Sequence, residues 1–159
     1  GIGVVQGVNF NSVGQVVIAG NKAAVEKASE VLKAKGARKV MPLPVSVPSH
    51  CDLMKPAAEK LALELNSVKF NPAKIPLIQN VNGEIASDIH AIKDGLVKQL
   101  YSPVLWTKSV ATLAQNDVMT IVECGPGKVL SGLNKRIHES AKLFNLNSAE
   151  SMTALQASL

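Results

Sequence analysis

Three prolines fall within seven residues, at Pro42, Pro44 and Pro48. Proline lacks an amide donor and fixes φ, so neither a helix nor a central strand can run through this stretch. The prolines divide the chain into a first subdomain of residues 1–46 and a second of residues 47–159. The first begins as a hairpin, with a strand over Val4 to Asn9, a turn through Asn11, Ser12 and Gly14, and a strand over Gln15 to Ala19. A helix over Asn21 to Lys35 follows, with Ala24, Val25, Ala28, Val31 and Leu32 on one face, Asn21 as N-cap and Gly36 as its stop. Arg38 to Val45 is predicted as a strand leading into the prolines. This β-β-α-β order is that of a ferredoxin-like unit without its opening strand and helix.

The second subdomain has an α/β rhythm. Leu53, Ala57, Leu61 and Leu65 stripe one helix, Ile92, Leu96 and Leu100 a second, and Trp106, Val110 and Leu113 a third. Ile75 to Asn80 and Met119 to Val122 are predicted strands. Val129, Leu130, Leu133 and Ile137 line a helix entered through Gly125-Pro126-Gly127, and residues 150–158 hold a last short one.

With 159 residues, 47% hydrophobic and 18% charged, the chain can bury the core of an ordinary globular domain. It has no apolar run of about 18 residues, and its start, GIGVVQGVNF, lacks the basic and apolar blocks of a signal peptide, so a cytoplasmic protein away from the membrane is expected. Cys51 and Cys124 have neither disulfide-framework nor zinc-ligand spacing, which predicts reduced, buried thiols and no metal. The net charge of +5 favours an acidic partner or an anionic substrate. Nucleic acid is disfavoured, because an aromatic content of 3% leaves almost no stacking platforms.

Ser49-His50-Cys51-Asp52 fits a capping box, which predicts His50 at the first helical position. There the local field is positive and suits a neutral, base-competent ring. The same pattern fits an exposed histidine beside a cap. Cys51 is read as a packing residue, because neighbours on a helix point about 100° apart. His90 and His138 are read as ordinary surface and helix-end residues. Gly125-Pro126-Gly127 lacks P-loop spacing and is read as a tight strand-to-helix turn in preference to a phosphate site. No serine has the glycines of a nucleophile elbow, so the chain contains a candidate base without a nucleophile.

Four blocks in order carry a resemblance. Val47-Pro48-Ser49-His50 with Cys51 to Ala57, Val8 to Ser12 with Gly14 to Gly20, Gln99 to Val104 with Trp106, and Glu123 to Leu130 together resemble the malonyl-CoA:acyl-carrier-protein transacylase family. The resemblance implies a C-terminal half: part of an α/β hydrolase-like core plus the partial ferredoxin-like subdomain. It implies malonyl transfer from CoA to the phosphopantetheine thiol of acyl carrier protein in fatty-acid biosynthesis, without a cofactor. His50 would be the base of a Ser-His dyad, the main-chain carbonyl of Gln99 would accept from its ring, and Asn11 and Gln15 would lie near the thioester cleft.

The family's elbow serine, glutamine-rich loop and malonyl-binding arginine lie upstream of Gly1 in this reading. The expected partners are therefore malonyl-CoA, acyl carrier protein and the N-terminal half, and the fragment alone is expected to be inactive. An acyltransferase of different acyl specificity stays open. So does a non-catalytic module whose basic residues, among them Lys22, Lys33 and Arg38, dock an acidic partner. A chain of this kind is also expected to expose unusual apolar surface.

Overall fold

The computed structural model describes residues 2–158 and shows a mixed α/β chain. Strands β1 (Val5–Ser12) and β2 (Gln15–Gly20) form an antiparallel hairpin. Only Val13 and Gly14 lie between the paired Ser12 and Gln15, and Gly14 has φ 75°, a left-handed conformation that glycine adopts without strain. Asn11 and Ser12 are therefore strand residues and not turn residues as predicted. The ladder is irregular between Phe10 and Ser12, which leaves Asn11 as the unpaired residue of a bulge.

Helix α1 (Lys22–Ala34) packs back on the hairpin through Ala24. Asn21 occupies the N-cap position, but its side chain does not cap the helix. Its Oδ1 accepts from the Val4 amide at 2.8 Å while its own amide donates to the Val4 carbonyl at 2.9 Å, fastening the helix to the start of β1. Gly36, with φ 91°, ends the helix as expected.

The predicted strand over Arg38 to Val45 does not form; residues 38–48 are irregular. Pro42 and Pro44 remove two donors from any ladder, and Met41, Leu43, Val45 and Val47 stay exposed. The strand predicted over Ile75 to Asn80 is reduced to one bridge, Ile78 to Ile85, because the chain folds back on itself through the tight turn at Gly83.

Helices α2 (Lys55–Ser67) and α3 (Ile89–Lys98) lie together. Lys93 of α3 donates to the carbonyls of Leu65 and Val68 at 2.8 and 3.3 Å, satisfying orphan acceptors at the end of α2. Helix α4 (Trp106–Gln115) follows, then β3 (Thr120–Cys124), α5 (Val129–Ile137), β4 (Lys142–Leu146) and α6 (Ala149–Gln156). β3 and β4 pair in parallel, with α5 as their crossover helix. β4 is an element that the periodicity does not predict. The indole of Trp106 donates to the buried Asn134 Oδ1 at 2.9 Å and joins α4 to α5.

Two backbone hydrogen bonds join the hairpin to the segment before α4. The Phe10 amide donates to the Val104 carbonyl at 2.9 Å, and the Val104 amide to the Val8 carbonyl at 2.8 Å. β1 is thereby stitched to the segment between α3 and α4, and Val8 is buried there.

The buried apolar residues are few and dispersed, about one to an element: Val8, Ala24, Cys51, Ala58, Ile92, Val110, Leu133 and Leu155. The chain exposes 10805 Å², whereas a compact monomer of its mass exposes roughly 7,600 Å². Val45, Leu63, Ile75 and Val129 are mostly exposed. Among the described residues no helix is long and apolar enough to cross a membrane.

Candidate active site

The capping box at Ser49 does not form. Residues 52–54 make a single 3₁₀ turn after Cys51, and α2 begins only at Lys55. His50 therefore lies in the turn before the helix, with φ 65°, one of two non-glycine residues in the left-handed region among those described. Holding a side chain there costs about 1 kcal/mol. His50 is thus not at a helix N-terminus, and the positive field expected there is not the one the ring meets.

The ring faces instead the carbonyl end of another helix, whose field has the opposite sign. The last carbonyls of a helix have no intrahelical donor, and at the end of α3 they meet His50. The His50 amide donates to the Leu100 carbonyl at 2.9 Å, and its ring Nδ1 lies 2.6 Å from the Gln99 carbonyl oxygen. A carbonyl can only accept, so Nδ1 carries the proton and Nε2 of the neutral ring is left with its lone pair. Nε2 makes no hydrogen bond among the described residues. The negative end of the α3 dipole lies beside the ring.

The chain on either side of His50 is held as well. Cys51 is fully buried and its thiol donates to the Pro48 carbonyl at 3.1 Å, in keeping with its reading as a packing residue. The Asp52 amide donates to Gln6 Oε1 at 2.8 Å, and Gln6 Nε2 donates to Asp52 Oδ2 at 3.1 Å. The other Asp52 oxygen pairs with Lys55 at 2.8 Å. Lys55 holds the Asp52 carboxyl below the usual carboxylate range, with a smaller contribution from Gln6, and is itself raised by Asp52. Gln6 has no local sequence signal, because its partner is 46 residues away.

Of the four predicted site residues, the structure brings His50 and Gln99 together. Asn11 and Gln15 lie together at the turn of the hairpin, the first half-buried and the second exposed. No hydrogen bond links either to His50 among the described residues, and Gln15 Oε1 accepts only a long 3.4 Å contact from Ser12.

The other candidates take structural roles. His138 ends α5, with Nε2 against the Val118 carbonyl at 3.1 Å. His90 lies exposed in the first turn of α3. At Gly125-Pro126-Gly127 the α5 amides of Leu130 and Ser131 are occupied by the Glu123 carboxylate at 3.1 and 2.8 Å, which leaves no room for a phosphate. The Ser131 amide, first among several donors, holds the Glu123 carboxyl below its ordinary range. Cys124 is exposed and not buried as predicted, because it ends β3 where the chain turns outward at Gly125. Among the described residues no group of three or more His, Cys, Asp or Glu is placed to hold a metal.

No family model matches the chain. It is 54% identical over 151 residues to the malonyl CoA-acyl carrier protein transacylase of Escherichia coli K12, covering 95% of this chain and 49% of that protein. To the Haemophilus influenzae protein of the same name it is 50% identical over 153 residues, covering 96% and 49%. Among solved structures, the FabD transacylase of Xanthomonas oryzae superposes with a TM-score of 0.95 at 43% identity, covering 98% of this chain and 50% of that one. A malonyl-transacylase solved with its type II PKS acyl-carrier protein gives 0.94 at 48% identity, covering 98% and 50%. The chain thus spans about half the length of the relatives it matches.

Proposed function

Because the chain belongs to the malonyl CoA-acyl carrier protein transacylase family, we propose that it forms the C-terminal half of such an enzyme. The whole transfers a malonyl group from CoA to the phosphopantetheine thiol of acyl carrier protein, in the cytoplasm and for fatty-acid synthesis. Its partners are malonyl-CoA, acyl carrier protein and the N-terminal half; nucleic acid and membrane are not among them, and no cofactor takes part. Residues 1–46, with β1, β2 and α1, are the portion of a ferredoxin-like subdomain. Residues 47–159 are the portion of an α/β hydrolase-like core built round β3, α5 and β4.

The observation that carries this reading is the 2.6 Å contact between His50 Nδ1 and the Gln99 carbonyl. It fixes the ring so that Nε2 is the basic nitrogen. In the proposed reaction Nε2 takes the proton of a serine hydroxyl supplied by the other half, and the serine oxygen attacks the malonyl thioester. The proton then passes to the departing CoA thiolate. In the second half-reaction Nε2 takes the proton of the carrier thiol, the thiolate attacks the malonyl-serine ester, and the serine recovers a proton. Among the described residues no carboxylate contacts the ring, so the Gln99 carbonyl and the negative end of α3 face the positive charge that develops on it. Asn11 and Gln15 are assigned to the thioester cleft near the hairpin turn.

The surface supports the same reading. The excess of roughly 3,000 Å² over a compact monomer, with Leu63, Ile75 and Val129 largely uncovered, is what a chain exposes when another half normally packs against it.

The test is a full-length transacylase containing this sequence with His50→Asn. Asparagine tolerates the left-handed backbone and can donate to the Gln99 carbonyl, but it cannot take a proton. Malonyl transfer should fall by about 10²–10⁴-fold with the circular dichroism spectrum unchanged. Undiminished transfer would remove His50 from the mechanism.

A further inference from the structure

We infer that Gln6 is a positioning residue for His50: from β1 its side-chain amide grips Asp52 at two points and so holds the turn that carries the ring. This rests on the catalytic reading of His50 given above.

The turn at His50 is the one place around the site where the backbone occupies a left-handed conformation with a large side chain. Such a conformation persists only where its surroundings hold it from more than one side. On one side stand the Leu100 and Gln99 carbonyls, at 2.9 Å from the His50 amide nitrogen and 2.6 Å from Nδ1. Rotation about the His50 backbone would swing Cys51 and Asp52 against the ring, so the downstream chain needs a second anchor. Gln6 supplies it. Its Oε1 takes the Asp52 amide at 2.8 Å, and its Nε2 returns to Asp52 Oδ2 at 3.1 Å.

The two contacts admit one orientation of the Gln6 amide. A flipped amide would set its oxygen against a carboxylate and its NH₂ against a backbone donor. Gln6 is itself fixed by its place in the ladder opposite Ala19, and Asp52 by its pair with Lys55 at 2.8 Å. The hairpin and the end of α3 thus close on the His50 turn from two directions. A residue that sets the ring's aim, without touching the reacting atoms, should act on turnover and leave substrate affinity nearly alone.

The experiment uses the full-length transacylase labelled with ¹⁵N-histidine. Gln6→Ala should lower kcat about tenfold, change KM by less than about twofold, and speed solvent exchange of the proton on His50 Nδ1. Gln6→Glu should do the same or worse, because it sets one carboxylate against another. The double variant Gln6→Glu/Asp52→Asn restores both hydrogen bonds with the second reversed in direction, and should bring kcat back to within about threefold.

Unchanged kcat and unchanged His50 exchange in Gln6→Ala would overturn the proposal, as would a loss that the double variant does not rescue. If Gln6→Ala does not fold, Asp52→Ala carries the comparison against Lys55→Ala, since it keeps the backbone contact to Gln6 and loses the second one together with the Lys55 pair, which Lys55→Ala removes alone. It should then lower kcat by a smaller factor, yet by more than Lys55→Ala does, and no difference between those two would count against the role. If His50→Asn keeps full transfer, the catalytic reading fails separately, and the exchange of the His50 proton still decides whether Gln6 holds the ring.

Discussion

The bond between Trp106 and Asn134 secures the segment that seats His50, and its loss can be worked out in advance. Trp106 opens α4 directly after residues 99–105, which supply the carbonyls for His50 and the stitch to β1. Its indole donates at 2.9 Å to Asn134 Oδ1, and Asn134 is only 2% exposed. Trp106→Phe strands a buried acceptor, at about 1–3 kcal/mol, and forfeits roughly 1 kcal/mol of ring contacts. Asn134→Leu strands the indole N–H, but Trp106 is half-buried and water can replace part of the bond, so about 1 kcal/mol is expected. The double variant removes both polar groups and strands neither. It should cost about 1–2 kcal/mol less than the sum of the single variants. Urea unfolding measures this, followed by far-UV circular dichroism because Trp106 is the chain's only tryptophan. Additivity within about 0.5 kcal/mol would refute the claim that the two groups depend on each other.

Glu123 accepts from Leu130, Ser131 and Asn145, and its carboxyl is held below the ordinary glutamate range, first by the Ser131 amide. A depressed folded value contributes stability above the unfolded one and loses it as pH falls through the folded one. Urea midpoints should therefore decline below about pH 4.5, and Glu123→Gln should flatten that decline; an equally steep decline in the variant would exclude Glu123. Gly20 has φ 155°, and a Cβ there would run into the Val4 carbonyl. Gly20→Ala should cost about 2–4 kcal/mol, seen as a melting temperature lower by several degrees, and a neutral effect would contradict the packing at that corner. Cys51 is fully buried while Cys124 is exposed. An aromatic disulfide reagent should titrate one thiol in the native chain and a second only in denaturant; two fast thiols would show that the His50 turn opens readily.

Elements whose signals are local were legible in the sequence. The hairpin could be read from the apolar run Val16, Val17 and Ile18 following the turn at Gly14, and the helices from their stripes and stops. What failed depended on distant partners. β4 has no alternation in Leu143-Phe144-Asn145 and is a strand because β3, 22 residues upstream, offers it a ladder. The opposite error arose at Arg38 to Val45, where apolar residues suggested a strand but Pro42 and Pro44 left it without donors or neighbours. The box at Ser49 misled for a related reason: Asp52, expected to cap, is engaged by Gln6 from another part of the fold. His50 and Gln99 are 49 residues apart, and only family resemblance joined them before the structure did.

The ring of His50 is aimed by a peptide oxygen, and this has a bearing on how such a site drifts. Every amino acid carries that oxygen, so no single codon change at 99 can delete it, whereas a carboxylate in the same post is one nucleotide from loss. What can disarm the site is a change of path: an insertion, a deletion or a proline that unwinds the end of α3. Damage to the orienting group would therefore enter a gene as altered length or geometry, at positions that a residue-by-residue scan for chemical side chains would pass over.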